Sequence, residues 1–374
     1  MVPESPVVPK ATVILADGRE LFYFGQSAQW AAGFPDLRPP DRVEALSVIR
    51  YDQLRGEWVI IARHRQDRTY LPSADHCPFD PSAPGRLTEI PAPHYEVAVF
   101  ENRFPSVAGI GDDSADGTDP RPTGPADLHL TRPGTGRCEV VCFSEDHSGS
   151  FADLTPAQAA VVMAAWTDRS AALAARAGVE QVYCFENRGR EIGVTLTHPH
   201  GQIYAYPFVT PRTARMLAMA GQYHSETGRN LFDDVVEAEL SDPVRVVLAG
   251  EHWVGFVPYA AHWPYEVHLY PRRRVPDLQA LTTAERDEFC VMYLDLLRRF
   301  DRLFGIPAPY ISAWHQAPVR AGREQFALHL ELFTIRRGPD KLKYLAGSES
   351  GMGAFTSDIA PEAAAAALRG ERTT

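Results

Sequence analysis

No apolar run in this chain of 374 residues approaches the roughly 18 that a membrane-spanning helix needs, so no transmembrane segment is expected. The first ten residues, Met1 to Lys10, are proline-rich and lack the apolar centre of a signal peptide. Basic residues are in deficit: 37 Lys and Arg stand against 48 Asp and Glu, a formal net charge of −11. A polynucleotide rewards clustered cations, so no nucleic-acid partner is expected, although one phosphate group needs only a few local arginines. The five cysteines, at 77, 138, 142, 184 and 290, are scattered and odd in number. That fits a reducing compartment, the cytoplasm, better than a disulfide framework. What is present is an ordinary globular composition, 45% apolar and 23% charged, in a chain long enough for one large domain or two related halves.

Thr12 to Leu15 and Leu21 to Phe24 flank Asp17-Gly18 and read as a hairpin. Trp58 to Ala62 reads as a buried strand, and Tyr95 to Phe100 and Cys138 to Phe143 as two more. Residues 106–136, rich in Gly, Pro and Asp, read as a long loop. Thr155-Pro156 opens a helix that runs to Arg176, followed by strands at Gln181 to Phe185 and Gly201 to Tyr206. The order then recurs: a strand at Glu266 to Tyr270, a helix from Thr282, and a strand ending in Leu328-His329-Leu330-Glu331. A duplicated α+β unit follows, with halves at 1–210 and 211–374. Pro361 to Arg369 closes the chain as a short helix.

Chemistry concentrates in Thr197-His198-Pro199-His200-Gly201-Gln202. Proline drives His198 into an extended conformation, and alternation along a strand then turns both imidazoles toward one site. Gly201 would let a ligand approach the backbone, and Gln202 offers a donor and an acceptor. A neutral imidazole can attack phosphorus and leave a labile N–P bond. Spacing alone leaves three readings open: nucleophile, metal-ligand pair, or a structural pair of histidines.

Cys184-Phe185-Glu186-Asn187, Gly193 and His198-Pro199-His200-Gly201-Gln202-Ile203 together resemble the galactose-1-phosphate uridylyltransferase family of the histidine-triad superfamily. Further segments in the family's order carry the resemblance: Arg50 to Val59 with His64, Arg65 and Arg68; Cys142 to Ser148; Trp253 to Pro258; Trp263 to Glu266; and Trp314 to Pro318. The resemblance implies a duplicated histidine-triad-like α+β fold, antiparallel sheets with flanking helices. It also implies transfer of a uridylyl group from UDP-glucose to galactose 1-phosphate through a covalent adduct on His200. Gln202 would hold the transferred phosphoryl group, with Asn187, Gly193 and Thr195 on the nucleotide phosphates and Asn102 and Arg103 on the uridine. Arg65 and Arg68 would come from the neighbouring subunit of a homodimer. Lys343, Tyr344, Ser348 and Glu349 would hold the hexose. Ser348 stands where tyrosine is common and Phe355 where glutamine is usual, which keeps a related nucleotidyltransferase, a nucleoside-diphosphosugar phosphorylase or a hydrolase as the alternative.

The same resemblance implies a structural zinc on Cys77, Asp80, His147 and His198, with Asp80 in the place of a second cysteine. A second metal, found in some members, would fall on His315, His329, Glu331 and Met216. Two of those four positions depart from the family's ligands, so this site is not expected to fill. The duplication aligns His198 and His200 with His329 and Glu331, which confines the chemistry to the first half.

Overall fold

The computed structural model describes residues 8–67, 71–109 and 128–371. Arg68 and the middle of the stretch expected as a long loop lie outside the described residues. Strands β1 (Lys10–Ile14) and β2 (Glu20–Phe24) form the expected hairpin, turning through Gly18 at φ +84°, a conformation that suits a residue without Cβ. Then come α1 (Ala28–Ala31), β3 (Ser47–Asp52), β4 (Glu57–Ala62), β5 (Val97–Glu101), β6 (Thr131–Pro133) and β7 (Arg137–Cys142). β4, β3 and β6 form a small separate sheet. The expected buried strand at Trp58 to Ala62 is therefore a peripheral one, with Val59 47% exposed. Its apolar run reflects two-sided partial cover, not a place in the core.

Helix α2 (Pro156–Ala174) precedes β8 (Gln181–Arg188) and β9 (His200–Tyr206). The second half holds α3 (Pro211–Thr227), α4 (Leu231–Ser241), β10 (Val246–Ala249), β11 (Trp253–Phe256), β12 (Tyr265–Pro271), α5 (Thr283–Phe304), β13 (Tyr310–His315), β14 (His329–Thr334), β15 (Arg336–Gly338), β16 (Lys341–Leu342) and α6 (Pro361–Arg369). Local chemistry explains the long helices. Thr155 with Gln158, and Thr282 with Glu285, close capping boxes at the starts of α2 and α5.

Eleven strands form one sheet in the order β1-β2-β5-β7-β9-β8-β13-β14-β12-β11-β10. Within it, β5-β7-β9-β8 and β11-β12-β14-β13 repeat the same order and meet where β8 pairs antiparallel with β13. Each half sends its long helix between its second and third strands in the chain, and α2 and α5 pack together. The duplication is thus built into one continuous sheet. Trp166, Trp253, Phe289 and Trp314 fill the helix-side core.

The opposite face is covered unevenly. Cys77, Phe79, Ile90 and Tyr95 cover the strands β5 and β7. Phe232 of α4 and its neighbours cover β11 and β12. Between these covers, Gln202, Phe185, Asn187 and Ile311 on β9, β8 and β13 stay half-exposed, so a trench runs across the middle strands. Among the described residues no helix is long and apolar enough to cross a membrane.

Gly201 has a different purpose from the one its sequence context implied. A Cβ there would sit 2.8 Å from Phe143 Cζ and 2.9 Å from the Phe185 carbonyl oxygen, so the glycine lets β9 pack under Phe143 on the helix side instead of admitting a ligand. Gly201→Ala is expected to cost about 1–3 kcal/mol, read as a lower midpoint in urea unfolding. An unchanged midpoint would refute this packing role.

Candidate active site

β9 opens with His200. Its Nδ1–H donates to the His198 carbonyl at 2.7 Å, so Nε2 keeps its lone pair. The Phe79 ring stands edge-on at 5.0 Å and limits rotation of the imidazole. Burial pushes the His200 pKa down to about 4, against the raising effect of the carbonyl. At neutral pH the ring is uncharged and half-exposed, its Nε2 lone pair directed away from the backbone, which are the properties a nucleophilic imidazole needs.

Gln202 lies two residues along on the same face, opposite Phe185 and Val140, and its amide makes no hydrogen bond with the described residues. Gly201 pairs with Glu186, which sets Asn187 beside His200. Gly193 ends a short turn at φ +83°, and Thr195 lies near it, its carbonyl accepting from Leu71 N at 2.7 Å. Both sit on the connection between β8 and β9. The His200 imidazole, two amides and a hydroxyl-bearing loop therefore share one end of the trench.

Cys77, Asp80, His147 and His198 bring one ligand atom each to within 4.8 Å of the others. Asp80 Oδ1 lies 2.8 Å from His147 Nδ1 and 3.0 Å from His198 Nδ1. Burial would raise the Asp80 carboxyl, but the two histidines hold it below its usual range. His198 itself poses a proton problem. Its Nε2 is 2.8 Å from the Ser144 carbonyl, which can only accept. If Nε2 carries the proton, the Nδ1 lone pair faces the Asp80 carboxylate; if Nδ1 carries it, Nε2 faces the Ser144 carbonyl unprotonated, and only the Tyr95 hydroxyl can donate to it. Double protonation would relieve both contacts, but burial lowers the His198 pKa. A cation held by His198 and Asp80 would let Nε2 keep its proton for the Ser144 carbonyl, which would then fix the tautomer from outside. Burial also pushes the Cys77 thiol up to about 11, so only a bound metal would hold it as thiolate at neutral pH. One thiolate, one carboxylate and two imidazoles fit a tetrahedral zinc. Tyr95, which sequence reasoning did not single out, adds its hydroxyl 3.0 Å from His198 Nε2.

The other expected residues lie farther away. Asn102 N donates to the Cys138 carbonyl at 2.8 Å, and Cys138 pairs with Tyr204, four residues from His200 along β9 or about 13 Å. Asn102 and Arg103 line a cavity of about 340 Å³ with Arg19, Arg42 and Glu101. Arg103 is held by Asp41 at 3.1 Å. Arg65 donates to the Phe104 carbonyl of its own chain at 2.7 Å.

Lys343 is buried against the His262 and Thr356 carbonyls, with Glu349 3.6 Å from its Nζ. Ser348 donates to the Ala354 carbonyl at 2.8 Å, and Tyr344 is 69% exposed. This segment approaches the sheet through Phe355 and Trp263, the latter stacked on Phe333 at 4.6 Å. Asn187, Ile311 and Phe333 stand opposite one another on β8, β13 and β14, so Phe333 is three strand spacings from His200, about 14 Å.

In the second half, His329 rather than Glu331 repeats the geometry of His200. It too opens its strand, and its Nδ1 donates to the carbonyl two residues back, Ala327, at 2.8 Å. The expected alignment is therefore shifted by two residues. His329 is fully buried, stacked against Tyr270 at 4.7 Å and His315 at 4.9 Å, so no substrate reaches it. Met216 packs in the apolar cluster of α3 and α4.

Residues 38–210 match the family profile "Galactose-1-phosphate uridyl transferase, N-terminal domain", and residues 217–369 match its C-terminal counterpart. A galactose-1-phosphate uridylyltransferase of Streptomyces lividans is 52% identical over 86% of each chain. One from Thermotoga maritima is 34% identical over 86% of this chain and 97% of its own. A solved uridylyltransferase structure superimposes with a TM-score of 0.73 at 33% identity, covering 86% of this chain and 97% of that one. With both profiles matched and the nucleophile geometry in place, the chain belongs to the galactose-1-phosphate uridylyltransferase family.

Proposed function

We propose that the chain transfers a uridylyl group from UDP-glucose to galactose 1-phosphate by way of a uridylyl-His200 intermediate. The observation that carries this reading is the His200 ring, its Nδ1 tied to the His198 carbonyl and its Nε2 left for attack. Nε2 attacks the α-phosphorus of UDP-glucose. The bond from that phosphorus to the bridging oxygen breaks, and glucose 1-phosphate leaves with the oxygen. A phosphate oxygen of galactose 1-phosphate then attacks the same phosphorus, the N–P bond breaks, and His200 recovers its lone pair with UDP-galactose formed. No proton has to be gained or lost.

Gln202 and Asn187 are placed to donate to the non-bridging oxygens, where charge builds in the transition state. Gly193 and Thr195 border the phosphates. Asn102 and Arg103 receive the uridine in their cavity. Lys343, Tyr344, Ser348 and Glu349 receive the hexose. Arg65 keeps further guanidinium donors beyond the one bonded to Phe104, and with Arg68 it would serve the site of a second subunit in a homodimer. The division of labour follows: residues 1–210 carry the chemistry, and residues 211–374 supply scaffold and sugar-side wall. Zinc on Cys77, Asp80, His147 and His198 would lock the segment covering β5 and β7 against the strand that carries the nucleophile. Five free buried cysteines suit a cytoplasmic setting.

Incubation with UDP-glucose alone should leave UMP on the peptide containing His200, seen by mass spectrometry. His200→Ala should abolish turnover while sparing UDP-glucose binding. Turnover without a trappable adduct would reject the covalent route. Product formation with galactose 1-phosphate, and not with phosphate or water, separates transferase from phosphorylase or hydrolase. Adduct formation needs the neutral ring, so its rate should stay level from pH 8 to about 5 and halve near 4, the pKa that burial gives His200; a fall centred near the ordinary histidine value of about 6.5 would contradict that environment. Zinc content measured by mass spectrometry should be lower in Cys77→Ser than in the unaltered protein, and equal content would reject the ligand set.

A further inference from the structure

A second cluster of ionisable side chains plays no part in the proposed reaction. His315, His329 and Glu331 offer ligand atoms within 4.8 Å of one another, as do Glu266, His268 and Glu331. Buried imidazoles and carboxylates in such numbers are a cation-binding set.

Two contacts show how this set is filled. The Arg212 guanidinium covers both oxygens of Glu331, its Nη2 2.9 Å from Oε1 and 2.6 Å from Oε2. Arg212 belongs to the first turn of α3 and reaches the sheet from that helix. Four residues on, Met216 presents only a thioether to the apolar cluster around it. The second contact is at His329. Its Nδ1–H is spent on Ala327, and its buried Nε2 has no hydrogen-bond partner among the described residues, although it lies 3.4 Å from Glu331 Oε1. His315 Nε2 lies 3.4 Å from the other oxygen. Three donors thus converge beside a guanidinium, with His268 Nε2 3.8 Å from the same carboxylate.

We infer that Arg212 takes the place of a second metal in this chain, seating a permanent monocation on Glu331 where a divalent ion would bind. The family's second metal site therefore does not fit as built here. A guanidinium cannot be chelated or titrated near neutrality, and its fork suits a carboxylate. It fastens the start of α3 to β14, while His315, His329 and Glu331 are left as a latent three-ligand site that Arg212 keeps shut.

Metal content per chain tests this without any activity assay. The unaltered protein and His329→Ala should hold the same number of metal equivalents. Apo protein titrated with cobalt(II) should gain one further equivalent, with new visible absorption, in Arg212→Met but not in the unaltered chain. That gain should vanish in the double variant Arg212→Met with His329→Ala. Loss of one equivalent in His329→Ala alone would overturn the inference, and so would a folded Arg212→Met that takes up no additional cobalt. If Arg212→Met does not fold, Arg212→Gln takes its place in the cobalt titration, with the same gain expected and its absence contradicting the inference.

Discussion

The 2.7 Å hydrogen bond from His200 Nδ1 to the His198 carbonyl is the contact on which the site depends. It fixes which nitrogen carries the proton, and therefore which one can attack. The same residue that accepts this bond through its backbone joins Cys77, Asp80 and His147 through its side chain in a group that could hold a metal ion. Pro199 between them keeps His198 extended, and Gly201 after them lets the strand pack under Phe143. The proposed nucleophile, the candidate metal ligand and the strand packing are thus linked within four residues, and moving any one moves the others.

The sheet supports the proposal that one half carries the chemistry and the other does not. Both His200 and His329 open a strand and bond the carbonyl two residues back. The difference is cover. Phe79 leaves His200 half-exposed at the end of a trench, whereas aromatic rings on several sides enclose His329. Because β8 and β13 join the halves into one surface, the trench runs from His200 past Asn187 and Ile311 toward Phe333 and the segment proposed to hold the sugar. A ligand spanning nucleotide and hexose can lie across strands of both halves.

Much of this was legible in the chain. The hairpin at Gly18, the capped helices α2 and α5 and the repeated strand order follow from local patterns of two and 3.6 residues. His198 and His200 drew attention by spacing, and Cys77, Asp80 and His147 through family resemblance. What stayed hidden depends on contacts between distant segments. The half-exposed state of Trp58 to Ala62 depends on which sheet the strand joins. Gly201 could be assigned to packing only once Phe143 was placed above it. Tyr95 and Arg212 carry no motif, and they matter because folding sets one beside His198 and the other on Glu331. The two-residue shift in the internal alignment was invisible because His198 and His200, like His329 and Glu331, alternate in the same way.

The central claim is that His200 takes the uridylyl group before the acceptor sugar phosphate binds. Isotope exchange tests it most directly. Labelled glucose 1-phosphate mixed with UDP-glucose and enzyme, in the absence of galactose 1-phosphate, should pass its label into UDP-glucose, and His200→Ala should not catalyse the exchange. Exchange that appears only when galactose 1-phosphate is added would mean that both sugar phosphates must be bound together, and would contradict the covalent intermediate.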